Sequence, residues 1–139
     1  MPRHSIPANP RAPAAARATL VDVIPSALAD RLDDVALVLS EVVTNAVKHG
    51  SRDRQDEVRL VVEADGDWLH VEVEQSLPAL HVAPRDPHRT GPRETGTGLL
   101  LVEALADAWG AEPGPPGRVW FDFEAQGDIP RTPVPSSEQ

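Results

Sequence analysis

The hydrophobic period of this chain changes once, from about 3.6 residues to 2, near residue 50, and that switch sets which elements the chain can build. Before it, Val35, Val38, Leu39, Val42, Val43 and Ala46 recur at three- and four-residue steps and form one apolar helix stripe. Asp33 is placed to cap the start of that helix. It should stop near His49, with Gly50 suited to the left-handed position just past a helix end. After the switch, EVRLVVEADGDWLHVEVEQ holds two alternating runs around Asp65-Gly66-Asp67. Asp-Gly between alternating hydrophobics signals a two-stranded hairpin. Val58, Leu60, Val71 and Val73 then share its core face.

The rest of the chain is read around these two segments. APAAARATLVDV, from Ala12 to Val23, is helix-forming throughout and is ended by Pro25. His4 to Ile6 can add an edge strand. Ser76 to Glu94 carries four prolines and little periodicity, which predicts a long irregular loop. A third helix is expected from Gly98 to about Trp109, with Leu99, Val102, Leu105, Ala106 and Trp109 on one stripe. RVWFDFE then alternates Val119, Phe121 and Phe123 as a last strand. The expected organisation is an N-terminal segment 1–9, a domain 10–124 and a Pro- and Ser-rich disordered tail 125–139.

Composition narrows the function. With 13 basic against 22 acidic residues the net charge is −9, which argues against a nucleic-acid surface. The absence of cysteine excludes a disulfide, a thiolate nucleophile and a cysteine-ligated metal. No run reaches the ~20 apolar residues of a membrane span, and the proline-broken start is no signal peptide, so a cytoplasmic protein without membrane contact is expected.

Two segments carry chemistry. In EVVTNAVKHG, Glu41 and Asn45 lie four residues apart with Lys48 seven from Glu41, so all three share one helix face. Spacing alone fits a solvated polar pair as well as a site. In GTGLLLVEAL, Gly96 and Gly98 stand at a helix start, where free amides and the positive dipole end can hold an anion. A plain turn fits that pattern too. Lys48 suits either a phosphate contact or the helix C-terminus, and His49 reads as a helix-end residue.

The succession of acid-and-amide helix, hairpin, long loop, Gly-x-Gly helix start and closing strand resembles the Bergerat-fold (GHKL) ATPases. SEVVTNAVKHG and GTGLLLVEALADAWG are similar, more closely, to the bacterial anti-sigma-factor serine kinases of the short single-domain actinomycete type. The resemblance covers about residues 10–124. It implies an α/β fold of the α+β sandwich kind, with a mixed, mostly antiparallel sheet and helices packed on one face. It also implies binding of ATP with Mg²⁺. Asn45 falls on the magnesium-binding asparagine and Glu41 on the catalytic acidic residue. Gly96, Thr97, Gly98 and Leu99 fall on the phosphate-binding amides, and Ser76–Glu94 corresponds to the lid over the nucleotide. The implied function is a protein serine kinase that phosphorylates an anti-anti-sigma (STAS-type) partner and sequesters a sigma factor. Whether it acts as a monomer or a homodimer is left open.

One corner departs from the family pattern. The adenine-reading aspartate at the end of the second hairpin strand is replaced by Gln75, which shares the inward face with Val71 and Val73. A second adenine-side position falls on Arg118, with a one-residue deletion near Pro116 leaving the register open. A lost hydrogen bond to a charged acceptor costs about 1.5–3 kcal/mol. The alternative function is therefore a regulatory binding module that keeps this fold without nucleotide turnover.

Overall fold

The computed structural model describes residues 3–53, 55–79 and 97–125, with residues 97–99 as backbone. The expected tail beyond residue 125 and the loop from 80 to 94 lie outside the described residues. Among the described residues five strands form one antiparallel sheet: β1 (Arg3–Pro7), β2 (Glu57–Asp65), β3 (Trp68–Gln75), β4 (Ala108–Glu112) and β5 (Gly117–Glu124), in the order β1-β2-β3-β5-β4. The described helices are α1 (Ala12–Val23), α2 (Leu32–His49) and α3 (Thr97–Leu105), with a 3₁₀ turn at Ser26–Arg31 running directly into α2.

The hairpin forms where Asp65-Gly66 predicts it. Gly66 takes a φ of 64°, the left-handed conformation a tight turn demands, and Asp65 pairs with Trp68 across it. Alternation then sorts the side chains. Val58, Leu60 and Val62 of β2, Leu69, Val71 and Val73 of β3, and Val119, Phe121 and Phe123 of β5 are buried against the helices. The helical side of that core is the stripe of α2 with Ala12, Ala16 and Leu20 of α1. At about 25 cal/mol per Å² of apolar area, burial on this scale is the main force holding the two layers together.

Three local expectations are corrected. Asp33 does not cap α2: the helix begins at Leu32, Arg31 holds the cap position without a side-chain bond, and the preceding 3₁₀ turn supplies the continuity a cap would give. Gly50 closes α2 at φ −113°, in the right-handed region, because its task is steric. The largest difference lies after residue 105. The third helix ends at Leu105, and Trp109 belongs to the edge strand β4, which pairs with β5 from Ala108↔Asp122 to Glu112↔Arg118.

That helix end is fixed from a distance. The Arg31 guanidinium donates to the Leu105 carbonyl (3.0 Å), the Glu124 carbonyl (2.9 Å) and the Asp107 carboxylate (2.7 Å), and lies 4.7 Å from the centre of the Phe123 ring. The Asp107 amide turns to the Asp122 carbonyl, and its carboxylate accepts the Glu124 amide. A carbonyl that would otherwise continue the helix is thereby taken by a charged donor.

Candidate functional site

The site is built from the C-terminal half of α2, the start of α3 and the end of β3. On α2 the buried Val42, Val43 and Ala46 face the core, which leaves Glu41 and Asn45 half-buried at the border of that stripe and Lys48 exposed. Neither the Glu41 nor the Asn45 side chain makes a hydrogen bond or ion pair among the described residues. A carboxylate and an amide half out of water without internal partners are groups a ligand can engage at little cost.

α3 packs against α2 and starts at Thr97. The amides of Thr97, Gly98 and Leu99 occupy its first turn, where an α-helix leaves donors unsatisfied. Gly96 lies outside the described residues. The acid-and-amide helix and the glycine-led helix start thus belong to adjoining elements.

Gln75 is inward and 4% exposed, as alternation predicts. Its Nε2 donates to the carbonyls of Leu77 and Pro78, each at 3.1 Å. Its side chain lies against the end of α2 so closely that a Cβ on Gly50 would stand 2.2 Å from Cδ of Gln75. This approach is what requires glycine at residue 50. It also ties β3 to the helix that bears Glu41 and Asn45, together with the Leu77 amide bonded to the Gly50 carbonyl at 2.9 Å.

Arg118 does not lie in this corner. The pairing Gln75↔Gly117 places Gly117 beside Gln75, while Arg118 points to the other face of the sheet. There it meets Glu112 at 2.7 Å and Glu74 at 3.2 Å. A Cβ at residue 117 would come within 2.5 Å of the Ala79 amide nitrogen. The segment Leu77–Ala79 fills the space a side chain would take, held by Gly117 N–H to Leu77 O (3.2 Å) and Ala79 N–H to Pro113 O (2.7 Å). Ala79 is buried in the core. The signal was available: Val119, Phe121 and Phe123 share parity with 117 and not with 118.

Sequence reasoning missed Asp56, a buried carboxylate behind this corner. It accepts from the Ser76 hydroxyl (2.6 Å), the amide and Nε of Arg52 (3.0 and 3.2 Å) and the Glu57 amide (2.9 Å). The Arg52 amide first, then Ser76 and the Arg52 side chain, hold its carboxyl far below the usual carboxylate range. Asp56 fixes Ser76 and with it the direction in which the chain leaves Gln75. No spacing in the sequence announces this partnership.

A half-buried Glu-x-x-x-Asn face on α2 adjoins a helix that opens on Gly-containing backbone, with an antiparallel sheet beneath them. The chain matches the histidine kinase-like ATPase domain over residues 6–119 and belongs to that family. Among individual proteins it is similar to the serine-protein kinase RsbW of Staphylococcus aureus. In strains RF122 and MRSA252 the identity is 30% over 119 residues, covering 73% of this chain and 72% of the relative. No helix among the described residues is long and apolar enough to cross a membrane.

Proposed function

We propose that this chain is an anti-sigma-type protein serine kinase that binds Mg-ATP and transfers the γ-phosphoryl group to a serine of an anti-anti-sigma partner, holding a sigma factor when that partner is scarce. The observation that carries the reading is the packing of α2, whose Glu41 and Asn45 side chains have no partner among the described residues, against α3, whose first turn leaves backbone donors unsatisfied. Its place in the family and its likeness to a serine-protein kinase support it.

The residues fit the nucleotide on the phosphate side. Asn45 offers one neutral oxygen. Mg²⁺ keeps several waters and takes few protein oxygens when phosphate oxygens are present, so one amide oxygen is a fitting contribution. When bound, Mg²⁺ offsets the charge of the triphosphate. Glu41 acts as general base: as the serine oxygen bonds to the γ-phosphorus, its proton passes to the Glu41 carboxylate and the bond to the β,γ-bridging oxygen breaks, leaving ADP. Thr97, Gly98, Leu99 and Gly96 donate amides to the phosphates, and Lys48 adds a cation at the helix end.

The second reading, a binding module without turnover, is favoured by the base corner, where Gln75 is bonded to its own chain and Leu77–Ala79 occupies the space beside Gly117. Thermal unfolding with Mg-ATP separates the two. The kinase reading expects stabilisation that disappears in Asn45→Ala. It also expects Glu41→Ala to retain the stabilisation while losing phosphotransfer to the partner. A melting temperature indifferent to millimolar Mg-ATP would leave the binding module as the function.

A further inference from the structure

The helices cover one face of the sheet, and on the opposite face no described element packs. That open face is not an ordinary solvated surface. Trp68 and Trp120 are both half-buried on it, with the imidazole of His70 between them at ring-centre distances of 5.9 and 5.8 Å. Trp120 lies across β4 so closely that a Cβ at Gly110 would stand 2.6 Å from its indole nitrogen. Val61, on the same face, is only 4% exposed although no helix covers it.

The aromatic groups and their neighbours enclose a depression of about 400 Å³ whose other walls are the carboxylates of Glu63, Glu72, Glu112 and Asp122. The positive groups nearby are committed. Both nitrogens of His70 meet carboxylates, Nδ1 that of Asp122 and Nε2 that of Glu72. Arg118 is shared among Glu72, Glu74 and Glu112. Glu63 has no partner among the described residues. The depression therefore combines indole faces with an excess of negative charge in a chain of net charge −9.

Such a lining selects a cation that is also flat. A guanidinium group is weakly hydrated, lies flat on an indole face and offers paired N–H donors to carboxylates, whereas an ammonium is a compact, strongly hydrated point charge that meets ring and carboxylate without that flat, paired fit. We infer that the open sheet face is a docking surface for a basic, arginine-bearing segment of a partner protein, an arginine side chain entering the depression lined by Trp68 and Trp120. A second copy of this chain is a poor occupant, because a two-fold contact would set the same carboxylates against one another. A nucleic acid is repelled by the same charge. The surface lies across the sheet from Glu41 and Asn45, so the inference stands apart from the nucleotide reading.

Tryptophan emission tests it directly. The chain has three tryptophans; Trp109 lies outside the depression and donates to Glu103 at 3.1 Å, so a Trp109→Phe background leaves reporters only in the depression. Titration of that variant with tetra-arginine amide should give saturable quenching, at least fivefold tighter than with tetra-lysine amide. The affinity should fall at least tenfold in Glu63→Gln/Glu112→Gln, two exposed positions whose exchange leaves the core untouched. Equal affinity for the two peptides, or no loss in the double variant, would reduce the effect to unspecific charge attraction and overturn the proposal. An emission change that follows protein concentration without peptide would assign the face to a second copy of the chain and overturn it as well.

Discussion

Replacing Gln75 with aspartate probes apo stability and nucleotide affinity at once, with opposite signs. In the folded chain the Gln75 amide supplies two hydrogen bonds at 3.1 Å, to the carbonyls of Leu77 and Pro78. Aspartate has no donor for either. At about 0.5–1.5 kcal/mol for each neutral bond, Gln75→Asp should lower apo stability by about 1–3 kcal/mol. For a domain of this size that is a fall of roughly 4–12 °C in melting temperature. The new carboxylate repels both carbonyls, so residues 77–78 turn away and vacate the space beside Gly117. With that space open and a charged acceptor in place, an exocyclic amine gains about 1.5–3 kcal/mol, roughly ten- to more than hundredfold in affinity. A melting series over increasing Mg-ATP reads both quantities from one sample set. An unchanged apo melting temperature would show that the Gln75 amide does not hold the segment. A lowered apo value with no gain in affinity would show that this corner does not receive the base.

Two further substitutions test how the site is supported. Arg31→Met keeps the packing over Phe123 but removes the donors to Leu105, Glu124 and Asp107; urea unfolding should show a loss of about 2–4 kcal/mol, and a loss below about 1 would mean the helix end is set elsewhere. The depressed Asp56 carboxyl contributes stability that is present above its ordinary pKa and is lost as pH falls below it. Asp56→Asn should therefore cost about 1.5–3 kcal/mol at pH 7. The gap to the parent should narrow below about pH 4 in acid-unfolding curves, and a gap constant with pH would contradict the assignment.

Much of the fold was legible because its signals are local. The α2 stripe, the Asp65-Gly66 hairpin and the alternation of β5 each follow from residues a few positions apart. What sequence could not convey was set by partners far along the chain. Ala108 and Trp109 read on from α3 as helix, since Trp109 keeps the stripe of Leu105 and Ala106. They open β4 instead because Arg31 takes the Leu105 carbonyl and β5 offers a free edge. At the candidate site, Gln75's inward aim was readable from parity, but its bonding to Leu77 and Pro78 was not, since it depends on Asp56 anchoring Ser76. The open register at Arg118 mattered because one residue is enough to exchange the faces of a strand, and Arg118 lies on the face away from Gln75.

The strand order has a consequence for how the molecule comes into being. β5 is synthesised last yet sits in the interior of the sheet, between β3 and β4, and it carries Phe121 and Phe123, the largest wholly enclosed side chains. A ribosome that has released everything up to residue 116 has produced the helices and β1–β3 with the core still open where Phe121 and Phe123 belong, and β4 has no neighbour to join. Among the described strands this eight-residue one completes the sheet, so a message cut short before it yields a chain that cannot close its core.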